Sequence, residues 1–463
     1  MWKSYFEKLY TPTGNYDNDF KKEIEGQFDE MWDNSYNTQP FLMKEDITSD
    51  EVEECKKKLK NSKAPGWDQV TAEHLKHGGP YLIEIITNIY KDMVRLEVYP
   101  PQLKVGIIVP IPKGDKDVTI MNNNRGITLL SVISKVFDNV MYNRHSKWAD
   151  KKKPLDPLQG AGKDKCSSIH TTYLLRETIC HNMERGNTVY VGLLDTKKAF
   201  DTVWVKGVFV KMYRTGMDPV IWRMLVFSNK QFICKVRIGN ELSEPFTAGQ
   251  GLHQGAHWSM HLFSRHYDDM LKELRQDDIG ACIGTVYSGN PTYADDVSIA
   301  TLHKPLLQKL LNTAHNYSQK WQFEFNSAKS AIILFGQDTC PKQKMTLGGC
   351  VIDEVAGDIH MGVLLSNDRE MESGFVRQRI GKAMRAYFAA VGLGSQAIPV
   401  SPVVMTKLYW SNCITTMTHG LEVFPLSKPS HELLEQAHGT IAKMVQGISK
   451  QTANITPTAT LGW

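Results

Sequence analysis

No stretch of this 463-residue sequence is apolar for long enough to cross a bilayer. The longest strongly apolar run, Val105 to Pro112, is broken by Gly106 and Pro110, and a spanning helix needs about 20 residues. The N-terminus, Met1-Trp2-Lys3-Ser4-Tyr5-Phe6-Glu7-Lys8, has no long apolar core, so no secretion signal is visible. The eight cysteines (55, 166, 180, 234, 282, 340, 350, 413) show no C-x-x-C spacing and no dense cluster. That argues against a zinc module or a disulfide framework and for a reducing compartment. Repeats and low-complexity tracts are missing too. Net charge is only +4, too small by itself to mark a nucleic-acid binder. With 41% hydrophobic and 22% charged residues, wholesale disorder is excluded. These absences lead us to expect an intracellular protein of nucleus or cytoplasm, neither secreted nor membrane-bound, with room for two or three domains.

Charge is unevenly spread. Between Lys104 and Lys165, 12 Lys/Arg stand against 6 Asp, a local excess of +6, which fits either a solvated face or a track for a polyanion. Residues 1–46 are aromatic-rich with weak periodicity and read as an extension wrapping the next domain. Thr48 with Glu51 forms a capping-box pattern, and Val52, Cys55 and Leu59 mark one helix face. Pro80 opens an amphipathic helix with Leu82, Ile85, Ile86, Ile89 and Met93 on its stripe, ending before Pro100-Pro101. Val105, Ile107, Val109 and Ile111 alternate as a strand does, and Leu129 to Met141 carries a second helical stripe. Later segments predict a helix from Ser168 to Glu184, a strand from Gln231 to Gly239 and a helix from Gln254 to Leu274. A helix from Pro305 to Trp321 and a strand from Ser330 to Phe335 come next, and beyond Gly362 the pattern turns helical and basic.

Tyr293-Ala294-Asp295-Asp296 places two adjacent carboxylates inside an apolar, strand-like segment, Thr292 to Ala300. Buried unpaired carboxylates are costly, so such a pair is normally bound to something cationic, and a metal ion is the natural partner. A third carboxylate, Asp195, ends the apolar run Val189 to Leu194. Two strand-borne carboxylate sites that meet across a sheet are what two-metal phosphoryl transfer requires. Strand halves on either side of Asp295-Asp296 predict a hairpin with the acids at its tip, where neighbouring side chains diverge.

Ordered along the chain stand Ile111-Pro112-Lys113, Arg125-Gly126-Ile127-Thr128-Leu129-Leu130 and Leu194-Asp195-Thr196-Lys197-Lys198-Ala199-Phe200-Asp201. Gly251-Leu252-His253-Gln254-Gly255, Tyr293-Ala294-Asp295-Asp296, Asn326 with Lys329, and His360-Met361-Gly362-Val363 come after them. This set resembles the reverse transcriptase domain of non-LTR, LINE-like retrotransposons, and the likeness runs from Trp2 to Trp463. The resemblance implies an α+β right-hand polymerase fold: an N-terminal extension (1–46), fingers (47–186), a palm with interleaved finger elements (187–362) and a helical thumb (363–463). It implies that Asp195 and Asp295 hold two Mg²⁺ ions with Asp296 as a secondary carboxylate, and oxygen donors suit that cation. Lys113 and Arg125 correspond to residues that contact the incoming triphosphate, and Lys329 to a lysine that protonates the leaving pyrophosphate. Gln254 and Gly255 lie along nucleotide and template, and Phe200 under the sugar of the incoming nucleotide; Phe200 is equally a core aromatic, and both roles can hold.

Asp201 reads as the N-cap of the next helix. Gly249 to Gly255 looks like a dinucleotide fingerprint, but its last spacing is one too long and no βαβ unit frames it. His253, His257 and His261 recur every four residues, on one face if the segment is helical; they line a groove or the surface, or hold a structural metal. Some segments depart from the family pattern. Leu158 to Lys165 replaces a Gly-Phe-Arg-rich stretch, Ala256 to Met260 replaces Cys-x-x-Ser-Pro, and Ser264-Arg265-His266 is unusual. The expected activity is RNA-directed DNA synthesis from dNTPs on an RNA template, from a DNA primer or nicked target, with the endonuclease domain of the parent element absent. A catalytically decayed, nucleic-acid-binding derivative is the alternative from another class, and an intron-maturase-like enzyme the alternative within it.

Overall fold

The computed structural model describes residues 1–14, 16–114, 117–276, 278–337, 344–366, 368–392, 401–423 and 426–462. Expectations that touch residues 115–116, Cys340, residues 393–400 or Trp463 lie there outside the described residues. The α+β class expected from the sequence is the one observed. Contacts group the chain into two units. The first holds Met1–Asp164, Asp195–Gln276 and Asn312–Asn326; the second holds Lys165–Leu194, Asp277–Leu311 and Ser327–Trp463.

In the first unit the alternating run forms β1 (Val105–Pro112), whose first four residues are all buried because both faces are covered. It pairs antiparallel with β2 (Asn124–Leu129), Ile111 opposite Arg125, and parallel with β4 (Ile233–Ile238). Short β5 (Glu241–Leu242) and β6 (Phe246–Thr247) close on β4. The helix α1 (Trp2–Leu9) sends Phe6 into the cluster of Ile108, Leu130, Phe232 and Val236, which Tyr10 beyond its end also joins. Within the segment 1–46, α1 packs on this sheet. The second helix, α2 (Asn18–Asn37), capped by the Asp17 carboxylate, packs on α8 (Val205–Arg214) and α9 (Pro219–Asn229).

The capping box of Thr48 and Glu51 starts α3 (Ser49–Lys57), as its spacing requires. After the short α4 (Ala72–His77), α5 (Gly79–Arg95) forms with a different inner stripe from the expected one. Ile83, Ile86, Tyr90 and Met93 are buried, whereas Ile85 and Ile89 are 41% and 43% exposed. Tyr90 decides this: its hydroxyl donates 2.6 Å to the Ile133 carbonyl of α6 (Val132–Lys152), so that side of the helix faces inward. Leu129 belongs to β2 rather than to the α6 stripe. A further correction is that α10 spans Ser259–Arg275, so Gln254 to Trp258 precede it as a turn. His253 and His257 are thus off the helix that carries His261.

In the second unit, all six residues of β3 (Val189–Leu194) are buried in the middle of a five-stranded sheet. On one side β10 (Asp296–Thr301) and then β9 (Thr292–Tyr293) run antiparallel; on the other lie β11 (Ala331–Phe335) and β14 (Asp353–Val355). Leu175 and Ile179 of α7 (Ser168–Met183) cover Val191, Leu193, Ala300 and Ile333. Small hairpins add β7 (Cys282–Ile283) with β8 (Val286–Tyr287), β12 (Thr346–Leu347) with β13 (Cys350–Val351), and β15 (Gly357–His360) with β16 (Val363–Ser366). The chain beyond Gly362 therefore opens with a strand before α12 (Arg369–Gly392), α13 (Pro402–Leu408), α14 (Thr415–Thr418), α15 (Lys428–Gln446) and α16 (Ile455–Leu461). The helix α11 (Lys304–Lys320) contributes to both units. None of the described helices is long and apolar enough to cross a membrane.

Candidate active site

Strand register positions the acids. Leu194, the last residue of β3, is opposite Val297 of β10, and Asp195 is the next residue of the chain. Asp296 opens β10 opposite Tyr293, leaving Ala294 and Asp295 as a two-residue turn. Ala294 takes the left-handed conformation, φ +56°, which a residue with a Cβ adopts at some cost and which recurs at functional turns. The hairpin expected from the sequence is present, with Asp295 in its turn and Asp296 in the strand. All three carboxylates are half-buried. Asp195 is anchored through its backbone, its carbonyl accepting from the Asn326 amide at 2.7 Å, and Thr196 bridges to Phe325.

Most of the other expected site residues lie in the first unit. Lys113 directly follows β1, half-buried, with its ammonium donating to the Asn122 carbonyl at 3.2 Å. Arg125 is exposed on β2. The turn carrying Gln254 and Gly255 is laced to both neighbours: the Thr128 amide donates to the Gln254 carbonyl at 2.9 Å, and the Leu252 amide to the Phe200 carbonyl at 2.7 Å. Gly255 has φ +116°, and a Cβ there would stand 2.9 Å from the Thr128 carbonyl oxygen; only glycine fits this approach. Phe200 is half-buried and stacks on Phe263, centroids 4.4 Å apart, so its core role is real. Lys329, in the second unit, is exposed in the turn before β11.

Asp201 is the residue whose role the sequence reading missed. Trp204 occupies the N-cap of α8, and no side chain caps that end. Instead Asp201, 8% exposed, accepts from the Tyr10 hydroxyl at 3.3 Å and from the Gln254 amide at 3.4 Å. It ties the N-terminal segment to the turn beside β2. Its position six residues after Asp195 was the one signal available. Burial raises its carboxyl pKa to about 6; the Tyr10 hydrogen bond and the charges of Lys113 and Lys198 pull the other way. Between pH 3.8 and about 6 the folded form therefore keeps a proton that the unfolded form has lost. Its contribution to stability is full below that window and is lost as pH rises through it. Asp201→Asn keeps an acceptor for Tyr10, and should flatten the pH dependence of Tm and gain about 1–3 kcal/mol above pH 7. An unchanged profile in thermal melts from pH 4 to 8 would refute this account.

The histidines are accounted for by packing. His253 stacks on Phe232, centroids 3.8 Å apart, and burial lowers its pKa to about 4. His261 faces His145, ring nitrogens 3.3 Å apart. Among the described residues no group of three or more His, Cys, Asp or Glu side chains is gathered as a ready-made metal site. The donor chemistry of Asp195, Asp295 and Asp296 nonetheless suits Mg²⁺, which takes one or two carboxylates and fills its shell with water and substrate phosphate.

Residues 111–360, more than half of the chain, match the reverse transcriptase (RNA-dependent DNA polymerase) family, and the chain belongs to it. The chain is 22% identical over 411 residues to the RNA-directed DNA polymerase from mobile element jockey of Drosophila melanogaster, covering 86% of this chain and 44% of that protein. It is 24% identical over 418 residues to the probable RNA-directed DNA polymerase from transposon X-element of the same organism, covering 88% and 44%. The chain thus spans less than half the length of these curated relatives. Among solved structures, apo telomerase from Candida tropicalis truncated from its C-terminal domain gives a TM-score of 0.39 at 14% identity, over 62% of this chain and 60% of that one.

Proposed function

We propose that the chain is the polymerase portion of a LINE-like, non-LTR retroelement enzyme. It would copy an RNA template into DNA by transferring nucleotides from dNTPs to the 3′-hydroxyl of a DNA primer or nicked target. The observation that carries this reading is the strand register: β3 leads directly into Asp195 from opposite Val297, and Asp296 is the residue before Val297. In this reading Asp195 and Asp295 hold two Mg²⁺ ions, with Asp296 as a secondary carboxylate. Bound there, the ions supply neutralisation of the triphosphate and a lowered pKa for the primer hydroxyl.

The remaining roles belong to the chain's own groups. Lys113 and Arg125 place two cations at the end of the β1–β2 pair to bind the triphosphate, because phosphoryl transfer is catalysed chiefly by positioning and charge. Gln254, steadied by Asp201, and the bare backbone of Gly255 let nucleotide and template approach closely. Lys329 donates the proton to the leaving pyrophosphate. Residues 47–186 serve as fingers, 187–362 as palm and 363–463 as thumb. The test is primer extension on poly(rA)/oligo(dT) with dTTP and Mg²⁺; wild-type protein that binds the duplex without extending it would establish the decayed-derivative reading instead.

Phe200 gives a finer expectation. The ring face left by its stack on Phe263 would collide with a ribose 2′-hydroxyl and offers that group no hydrogen bond. Phe200→Ala should raise ribonucleotide use relative to deoxyribonucleotide use, measured as the ratio of the two kcat/KM values. An equal ratio in variant and wild type would leave Phe200 as a core aromatic alone.

A further inference from the structure

The first unit contains a cavity of 510 Å³ between α2, α8 and the chain on either side of β4 and β6. That size is in the range of small-ligand sites. Its walls include Phe28 and Trp32 of α2, both half-buried, and Trp204 ahead of α8. The exposed cations Lys206 and Lys230 also line it, with Lys206 5.5 Å from the Phe28 ring centroid. Lys21 adds a third positive charge against two carboxylates, Glu25 and Asp29, which lie with it on α2. Asn229 and Gln231 add neutral polar groups, and the buried polar side chain of the wall is Gln322. It is 5% exposed, and its side-chain nitrogen is buried with no hydrogen-bond partner. That nitrogen is enclosed by its neighbours, so an acceptor reaches it only when wall side chains shift; a buried amide donor left unsatisfied costs about 1–3 kcal/mol, which such an acceptor would recover.

Aromatic faces, ammonium groups and an orphaned amide donor together describe one kind of guest. A lipid would not satisfy Gln322, and a simple anion would not use the rings. We propose that this cavity receives one unstacked base of a single-stranded RNA or DNA, its heteroatom acceptors meeting Gln322 and its backbone phosphate meeting Lys206 and Lys230. Aromatic walls accept any base, since every base has a π-face, so the site would hold a strand without selecting its sequence.

The test uses the full chain with an oligouridylate of about 12 nucleotides, a span typical of single-strand grooves, without primer or dNTP. RNA carrying 4-thiouridine is photocrosslinked to the protein and the adducts are mapped by mass spectrometry; crosslinks on peptides bearing Phe28, Trp32 or Trp204 support the site. Trp32→Ala should weaken binding roughly 5- to 100-fold, the loss of one stacked base. Because Trp32 also packs on Trp222, centroids 5.9 Å apart, the exposed double variant K206Q/K230Q is the fold-neutral control. It should lower the salt-dependence slope by about 1.4, two single-strand phosphate contacts. An unchanged slope with crosslinks mapping elsewhere would overturn the proposal, as would full competition by uridine 5′-monophosphate at the concentration of the strand. The polymerase reading is tested separately. Crosslinking without primer extension leaves the pocket standing, and extension without these crosslinks removes the pocket alone.

Discussion

Asn in place of Asp195 or Asp295 is expected to abolish primer extension, with a loss on the order of 10²–10³ or more. That is the scale at which removing one charge-stabilising group at a reacting centre is felt. The substitution changes one oxygen to nitrogen and leaves side-chain volume nearly constant, so the strands that carry the acids should not notice it. Asp195 is fastened through its carbonyl, which accepts from Asn326, and that bond does not depend on the side chain. Far-UV circular dichroism, Tm and primer–template affinity should therefore stay close to wild type. Asp296→Asn should cost less, because Asp296 sits in the strand opposite Tyr293 rather than in the turn. Extension retained by either Asp195→Asn or Asp295→Asn would sink the metal-site assignment, and so would collapse of the fold in both.

The second large effect concerns stability. Lys211 of α8 is 3% exposed. Its ammonium donates to the His266 carbonyl at 2.6 Å and to the Tyr317 hydroxyl, and stands 3.6 Å from the centre of the Trp321 ring. Asp269, itself half-exposed, is its nearest counter-charge at 3.7 Å. Burial lowers the lysine pKa from 10.5 to about 7. Below about pH 7 both folded and unfolded chains hold the proton and the burial penalty is fully present. Between about 7 and 10.5 the unfolded chain binds more protons, so stability rises with pH across that window. Lys211→Met removes the buried charge at similar volume and is expected to stabilise by about 1–4 kcal/mol at neutral pH and below, a gain that shrinks as pH approaches 10. Lys211→Ala leaves a void instead and should destabilise by about 2–4 kcal/mol. Urea melts of the two variants at pH 6.5 and 9.5 measure both signs; a destabilised Met variant would mean that the ring and carbonyl contacts outweigh the desolvation of the ammonium.

Local pattern alone carried much of this protein. Alternation in Val105 to Ile111 and the unbroken apolar run Val189 to Leu194 specify β1 and β3, because side chains on a strand have a period of two and a strand covered on both faces is apolar throughout. Thr48 and Glu51 specify a helix start because both partners of the cap lie within four residues. The acids could be singled out from sequence because charge inside an apolar strand is costly wherever the strand goes. Tertiary structure decided the rest. Which isoleucines of α5 face inward was set by the Tyr90 bond to Ile133, 43 residues away, and a helical stripe that is broad in sequence cannot choose its own inner edge. Asp201 looks like a helix cap by local rule, yet its partner Tyr10 is 191 residues away. Lys211 looks like a solvated lysine until α10 and α11 cover it. Sequence patterns report the preferences of a segment for water, cap or turn; contacts between distant segments form only when packing brings them together, and those contacts fixed the buried charges and the turn beside β2.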